Sequence, residues 1–488
     1  MRGRLFLLAC CLLLANEAAA QFTDSLKIAA GIVTTAATAH YQPLWLVANR
    51  NGTVSNQQQD ASAYLLVRNT HRFARKQPAD TGTYRGRFAG FYVGYGATLR
   101  NNNHLHSTFL EEGYGRVGFR TWQLRAGRYH EVTSEIDPTL ASGSFGISGN
   151  ALPVPKVELA VTDYTPVPFT HGWVQFRGQF AHGWLGNGGE IKDVFLHQKS
   201  FYLRVGQRRL TFYGGLTHFV QWGGTFPSGP APGRFKDYLR IIRGASGDAT
   251  DPVYLQGPVD IANALGNHIL VPDFGVSFRK KDALLRLYTQ TIFDKGIGDS
   301  SNTNKRDRLD GLKILGRDRL VGLSWETTHK RLVQKILLEG IYTKYQGGPI
   351  IYNGRDNYYN NGTYAMGWFY QSRIIGTPLF IAGNDAARYG LLPSAALGIW
   401  SNRLIGLHLG IKGTLTSNLT YRLLATHAQH YGNYYNDAQF PSAKKQTNLL
   451  VELPYRFGQW SVAVAVAADF GDVTNNLGGL CRIGWQLQ

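Results

Sequence analysis

Residues 197–224, HQKSFYLRVGQRRLTFYGGLTHFVQWGG, contain two runs in which apolar and polar side chains strictly alternate. Phe201, Leu203 and Val205 point one way while Tyr202 and Arg204 point the other. Past a turn at 206–209, Leu210 and Phe212 resume the apolar face opposite Thr211 and Tyr213. The pattern predicts a β-hairpin in which Val205 pairs with Leu210, Leu203 with Phe212 and Phe201 with Gly214, so that large outward groups meet across the ladder. One face is greasy and the other carries Arg and Tyr, which suits a wall between lipid and water. A soluble sandwich alternates in the same way, so the rest of the chain has to decide.

The amino terminus carries Arg2 and Arg4, an apolar run from Leu5 to Leu14, and Ala18-Ala19-Ala20 before Gln21, the pattern of a cleavable signal peptide spanning 1–20. Its removal takes away Cys10 and Cys11 and leaves Cys481 alone, so no intrachain disulfide is available. No later apolar run approaches the roughly 18–20 residues of a transmembrane helix. The chain instead holds 25 Phe, 26 Tyr, 10 Trp and 57 Gly with only 17% charged residues, a composition of short strands and turns. A soluble core stops growing at roughly 250–300 residues, whereas a barrel whose wall faces lipid escapes that limit.

Alternation runs from about residue 61 to the carboxyl end. Phe91, Val93, Tyr95 and Leu99 oppose Tyr92, Thr98 and Arg100; Trp122 and Leu124 oppose Gln123 and Arg125; Ile405, Leu407 and Leu409 oppose His408; Val462, Val464 and Val466 oppose alanines. Cys481, Ile483, Trp485 and Leu487 mark a last strand able to close on the first, although the chain ends in Gln488 where many such barrels end in an aromatic residue. At about 25–27 residues per strand and connection, the length predicts a large antiparallel transmembrane β-barrel of roughly 16–18 strands, 18 favoured. Residues 21–60 are expected to form a periplasmic, partly helical cap or a plug. The barrel then spans 61–488, with Pro-rich insertions at 131–172 and 225–272 and polar excursions at 294–308 and 347–362. The first insertion either folds into the lumen or covers a mouth. The second, with a possible helix at 235–243, is expected to be an external loop, like that at 347–362.

Inward-facing candidates are Arg100, Arg116, Arg125, Arg177, Arg204, Arg286 and Arg422, interleaved with Tyr202, Tyr213 and Tyr288. Arg offers a planar fork to carboxylate or phosphate and Tyr a flat face to a sugar ring, a combination suited to an acidic glycan near the external mouth. Porin lumens are lined in the same way whatever they carry. The net charge of +19 attracts anions generally, but no recognition-helix pattern points to nucleic acid. Gly113, Gly115 and Gly118 match a dinucleotide fingerprint only as letters, because an alternating strand runs through them. His104 with His106, and His427 with His430, lack completing ligands, so neither metal nor cofactor is expected. No Ser/His/acid set stands out for catalysis. His218 falls on the outward side of the hairpin unless Gly214-Gly215 hosts a bulge; with Gln221 and Trp222 it reads as an anchor for the following loop.

The blocks Gly143-Ser144-Phe145-Gly146-Ile147-Ser148-Gly149-Asn150-Ala151-Leu152-Pro153-Val154-Pro155, His171-Gly172, Phe195-Leu196-His197-Gln198-Lys199 and Gly215-Leu216-Thr217-His218-Phe219-Val220-Gln221-Trp222-Gly223-Gly224 resemble, in order, the Wzi family of capsule assembly proteins. The resemblance implies an 18-stranded outer-membrane barrel of a Gram-negative bacterium with periplasmic helical elements, acting as a non-enzymatic lectin. Its partner would be capsular or exopolysaccharide, with outer-membrane lipid around a monomer. A porin or substrate-specific channel is the alternative reading of the same wall.

Overall fold

The computed structural model describes residues 25–73, 90–207, 209–247, 250, 264–294, 317–346, 356–435 and 440–487. The expected signal peptide and the excursion at 295–308 lie outside them. Eighteen strands close into one antiparallel ring: β1 (Lys27–Ala37), β2 (Gln59–Arg72), β3 (Phe91–Asn102), β4 (Ser107–Phe119), β5 (Trp122–Arg128), β6 (Lys156–Pro166), β7 (Val174–Gly188), β8 (Ile191–Gln207), β9 (Leu210–Trp222), β10 (Asn267–Lys280), β11 (Ala283–Thr291), β12 (Arg319–Thr327), β13 (Lys335–Tyr342), β14 (Leu404–Thr414), β15 (Thr420–His430), β16 (Lys444–Phe457), β17 (Trp460–Gly471) and β18 (Asn476–Leu487). Each strand pairs with its neighbours in sequence, and β18 pairs with β1 from Ile28 opposite Leu487 to Ala37 opposite Gly478. Closure satisfies the backbone of both end strands and removes the exposed edges that an open sheet would present.

The alternation of the sequence is the alternation of the wall. Leu203, Phe201, Phe212, Leu285, Leu407 and Val464 stay between 40% and 63% exposed on the outside, while Tyr202, Tyr213, Tyr288 and His408 are buried inside. At one mouth the connections after β4, β8, β10 and β16 are tight turns, and an outward girdle of Phe91, Phe119, Trp122, Trp173, Phe457 and Trp460 rings it. Aromatic girdles of this kind flank the apolar band of transmembrane barrels at the membrane–water interface. Most of the long connections emerge at the opposite mouth. Among the described residues no helix is long and apolar enough to cross a membrane; α1 (Leu44–Val47), α2 (Phe235–Arg243) and α3 (Gly383–Arg388) are all short.

Several boundaries differ from the sequence expectation. The wall begins at Lys27, not near residue 61: in β1 Ile32 and Thr34 face out while Val33 and Thr35 face in, so both faces mix apolar with small or polar residues and the alternation is concealed. The insertion expected at 131–172 contains a wall strand, β6, whose Pro166 and bulge near Val161 mask its period. The second insertion ends at Asn267, where β10 begins. In the opening hairpin, Val205 faces Phe212, Leu203 faces Gly214 and Phe201 faces Leu216, two residues from the expected register, because the strands run on to Gln207 and Leu210 before turning.

Three connections from the long-loop mouth fill the lumen: 38–58, 129–155 and the described part of 343–403. They bind one another and the wall all round. Asn51 N donates to the Gly149 carbonyl, Trp368 Nε1 to that of Gly146, and Arg373 Nη2 to that of Val54. Gln290 on β11 accepts from Phe145 N at 2.7 Å, Glu339 on β13 from Ser142 N at 2.7 Å, and Asp469 on β17 from Leu44 N at 2.8 Å. Trp45, Leu140, Phe145, Tyr359 and Trp368 are fully buried at the centre of this packing. Of the segments read as loops or caps, residues 356–362 thus belong to the lumen filling rather than to an external loop, and residues 38–58 enter from the long-loop mouth rather than capping the short-turn one.

Candidate functional site

The strand period places every sequence-predicted Arg and Tyr in the lumen, but most of these groups are already engaged. Acids carried by segment 129–155 meet them. Glu135 lies 3.0 Å from Arg177 and 3.6 Å from Arg204, and its carbonyl accepts from Arg286 at 3.1 Å. Glu131 pairs with buried Lys156 and accepts from Gln198 Nε2 at 2.8 Å. Asp137 pairs with Lys335 at 2.6 Å; burial pushes its carboxyl up, but Lys335 and Thr139 outweigh that and hold it at about 2.

Elsewhere the partners lie on the wall itself. Arg100 pairs with Glu111 at 2.9 Å and Arg125 with Glu158 at 2.9 Å. Arg422 and the lumenal Arg50 share Glu452. Tyr213 donates to Asp273 at 2.9 Å, Tyr202 to the same carboxylate at 3.4 Å, and Tyr288 to Glu339 at 2.6 Å. The arginines also stack on tyrosines, Arg204 on Tyr164 at 3.5 Å and Arg177 on Tyr202 at 4.5 Å. The lumen is therefore a neutralised ionic network around a filled core. Glu131, Glu135 and Asp137 are the residues that sequence reasoning missed: they lie in a stretch without periodicity, and only its crowding with prolines hinted that it entered the barrel.

One part of the network stays open. A cavity of about 520 Å³ lies inside the short-turn mouth, between the inner faces of β2 to β8 and segment 129–155. Its lining includes Arg72, Arg116, Arg120, Arg125 and Arg177 against Glu131, Glu158 and Asp163, an excess of cations. Of the predicted residues it gathers Arg116, Arg125 and Arg177 and leaves Arg100, Arg204, Arg286 and Arg422 outside. Arg116 is aimed by stacking over Tyr92 at 5.7 Å and by donating to Thr70 Oγ1 at 2.9 Å. Gly118 makes room for that aromatic: a Cβ there would sit 2.2 Å from the Tyr92 ring. Buried donors on the lining, Arg116 Nε, Gln123 Nε2 and Gln179 Nε2, have no acceptor among the described residues. Such groups are costly to bury unless water or a ligand accepts from them. With a volume in the usual range of ligand sites, the cavity can hold a polar, anionic, ring-bearing molecule through forked hydrogen bonds and a Tyr face.

His218, Gln221 and Trp222 divide between the two sides of the wall. No bulge interrupts Gly214-Gly215, so His218 faces outward, yet it is buried, stacked on His268 with a 2.9 Å nitrogen–nitrogen contact. Trp222 also faces outward and stacks on Tyr238 of α2. Gln221 faces inward and donates to the Gly367 carbonyl at 2.9 Å, tying the lumenal filling to β9.

No family model matches the chain, and no curated protein matches it in sequence. Among solved structures the chain is similar to Wzi of Escherichia coli, described as an outer membrane protein involved in group 1 capsule assembly and a carbohydrate-binding β-barrel. The two share 12% identity over 97% of this chain and 86% of that one, with a TM-score of 0.54. It also matches Pseudomonas aeruginosa OccK5 (OpdH), at 8% identity, 96% and 99% coverage and a TM-score of 0.47, and OprD of the same organism, at 10%, 96% and 96%, and 0.44. At these identities the likeness is one of fold: an 18-stranded barrel of the outer-membrane type.

Proposed function

We propose that this barrel is a non-catalytic outer-membrane protein that binds and helps retain an acidic capsular or exopolysaccharide. The observation that carries the reading is the cationic cavity of about 520 Å³, whose buried Arg116, Gln123 and Gln179 donors have no acceptor among the described residues, set in a lumen otherwise filled by its own chain. A carboxylated or phosphorylated sugar supplies both the acceptors and a ring to lie on Tyr92. In barrels of this type tight turns face the periplasm, which puts the cavity on the periplasmic side rather than at the external mouth. The bound glycan segment would then be met as it leaves the cell. The filled lumen speaks against a wide aqueous channel, and the carbohydrate binding described for Wzi agrees with this assignment without carrying it.

The test is calorimetric titration of the purified barrel with polygalacturonate and, as a neutral control, dextran. Wild type binds the polyanion and the Arg116→Gln, Arg120→Gln double variant binds it at least about tenfold more weakly. Equal binding by the variant, or equal affinity for dextran, sinks the assignment. In cells the same variant is expected to shed surface polysaccharide into the medium.

A further inference from the structure

Two neighbouring turns of the short-turn mouth hold cations that the rest of the protein leaves unused. β10 and β11 join across Lys281 and Asp282, and β12 and β13 across residues 328–334, THKRLVQ. The turns lie side by side because β11 pairs with β12, and they are tied together: Thr328 N donates to the Asp282 carbonyl at 3.1 Å, and His329 Nε2 lies 2.7 Å from Asp282 Oδ2. Glu326, at the end of β12, is held by Lys335 at 2.6 Å. Asp282 and Glu326, the acids of this corner, are therefore already engaged. Lys280, Lys281, Lys330 and Arg331 are all exposed, and their side chains make no ion pair, hydrogen bond or ring contact among the described residues. Four unneutralised cations on two linked turns attract anions.

The corner is turned toward lipid. On β10 the outward positions Val276 and Phe278, the latter 44% exposed, lead on to Lys280. The 328–334 turn leans over the outer face of the wall: its Leu332 carbonyl accepts from the hydroxyl of outward Tyr421 at 2.6 Å, and Thr414 N donates to the Arg331 carbonyl at 2.9 Å. Gly413, outward on β14 and opposite Tyr421, permits this, because a side chain there would strike the Leu332 carbonyl. Leu332 itself is 64% exposed, just past the outward row that runs through Phe278, Leu285, Trp325 and Ile336 across four strands. Apolar groups at the margin of the band with long basic side chains just beyond them form the layout of a boundary between acyl chains and headgroups.

We propose that these two turns bind the phosphate groups of an anionic phospholipid in the leaflet on the short-turn side: Phe278 and Leu332 meet the acyl chains, and Lys280, Lys281, Lys330 and Arg331 hold the phosphates. Two observations commit the occupant to lipid over a soluble polyanion. The β12–β13 turn is fastened to the outside of the wall, away from the lumen and from the cavity between β2 and β8. Its cations also share that edge with exposed apolar side chains, which an acidic glycan would leave bare. Four charges spread over two turns suit a headgroup with two phosphates.

The whole barrel is reconstituted into phosphatidylcholine nanodiscs containing a minor share of cardiolipin, then extracted into mild detergent, and the lipid retained per barrel is counted by native mass spectrometry. Wild type retains cardiolipin at least about tenfold over its share of the bilayer, and the Lys280→Gln, Lys281→Gln, Lys330→Gln, Arg331→Gln variant loses that enrichment. Because the four side chains are exposed and unbonded, this variant keeps the heat-sensitive gel mobility of a folded barrel. Lys330→Gln, Arg331→Gln alone is the companion variant and loses part of the enrichment, whereas Lys444→Gln, Lys445→Gln, at the opposite end of β16, keeps it. Retention of cardiolipin in proportion to its share by wild type, enrichment that survives in the fourfold and companion variants, or an equal loss in the Lys444, Lys445 control overturns the proposal. So does polygalacturonate binding that the fourfold variant abolishes, which would assign this corner to glycan.

Discussion

Replacing Glu135 with alanine should drive stability and ligand affinity in opposite directions. This carboxylate, 11% exposed, faces Arg177 at 3.0 Å and Arg204 at 3.6 Å and serves as counterion to both. Removing one partner of a buried ion pair costs about 3–5 kcal/mol, because the remaining charge stays desolvated. Arg204 is 30% exposed and regains some hydration, which places the loss near the lower end, about 3 kcal/mol. Meanwhile Arg177 lines the cavity, and its freed guanidinium becomes available to an anionic ligand. One charge-assisted hydrogen bond contributes about 1.5–3 kcal/mol, so polygalacturonate should bind Glu135→Ala about tenfold more tightly, or better. Stability is read from urea titrations in detergent, using the different gel mobilities of folded and heat-denatured barrel, and affinity from calorimetry below the unfolding transition. An unchanged urea midpoint, or an affinity that falls along with stability, would refute the reasoning.

Planar-bilayer recordings of wild type should show no large steady current, whereas excision of residues 139–150, which include the fully buried Leu140 and Phe145, should produce open-channel steps; a wild type as conductive as an open porin contradicts the filled lumen. Asp137 has a depressed carboxyl in the fold, at about 2, so its contribution is fully present above about pH 4 and is lost as pH falls through 2. Asp137→Asn should therefore cost about 2 kcal/mol at pH 7 and flatten the acid limb of the stability profile between pH 4 and 2. At Gly410 an added Cβ would lie 2.5 Å from the Leu140 carbonyl oxygen, the acceptor of the His408 Nε2 contact at 2.6 Å. Gly410→Ala should lower the urea midpoint by the equivalent of about 1–3 kcal/mol, with accelerated protease cleavage within 129–155 as the marker that this segment has lifted from β14.

The wall was legible because a strand in a membrane barrel repeats one decision every second residue. Phe201, Leu203 and Val205 outside against Tyr202 and Arg204 inside needs no knowledge of any neighbour. β1 escaped because Ala29, Ala30 and Gly31 suit either side and Val33 turns inward onto lumenal packing. β6 escaped because Glu158 and Lys156 face in where the flanking Pro153, Pro155 and Pro166 suggested no strand. The arginines and tyrosines could be assigned to the lumen but not to their partners, which lie far along the chain: Arg286 to the Glu135 carbonyl spans 151 residues, Tyr288 to Glu339 spans 51, and Arg50, which shares Glu452 with Arg422, lies 402 residues from it. For the same reason the cavity could not be distinguished from the neutralised remainder: its boundary is set by which cations the filling segment leaves uncovered. His218 shows the limit from the other side, because parity placed it outward correctly yet could not reveal that α2 shields it.

The pairing of β1 with β18 sets the order in which this molecule can be assembled. Their contacts join residues more than 440 positions apart, such as Ile28 with Leu487, so the seam is the last ladder whose loop-closure cost can be met. Segments 38–58 and 129–155 both sit inside the finished ring, and each is flanked by wall strands on either side. Threading them through a sealed cylinder would strip their hydrogen bonds, so they must be cradled by the curling sheet before the seam zips. The filling is then a template for the cylinder: Asn476 Nδ2 donating to the Tyr41 carbonyl at 2.6 Å joins the start of that filling to the first residue of the closing strand. Slow, single-step closure is the kinetic signature this arrangement demands, with no long-lived empty ring along the way.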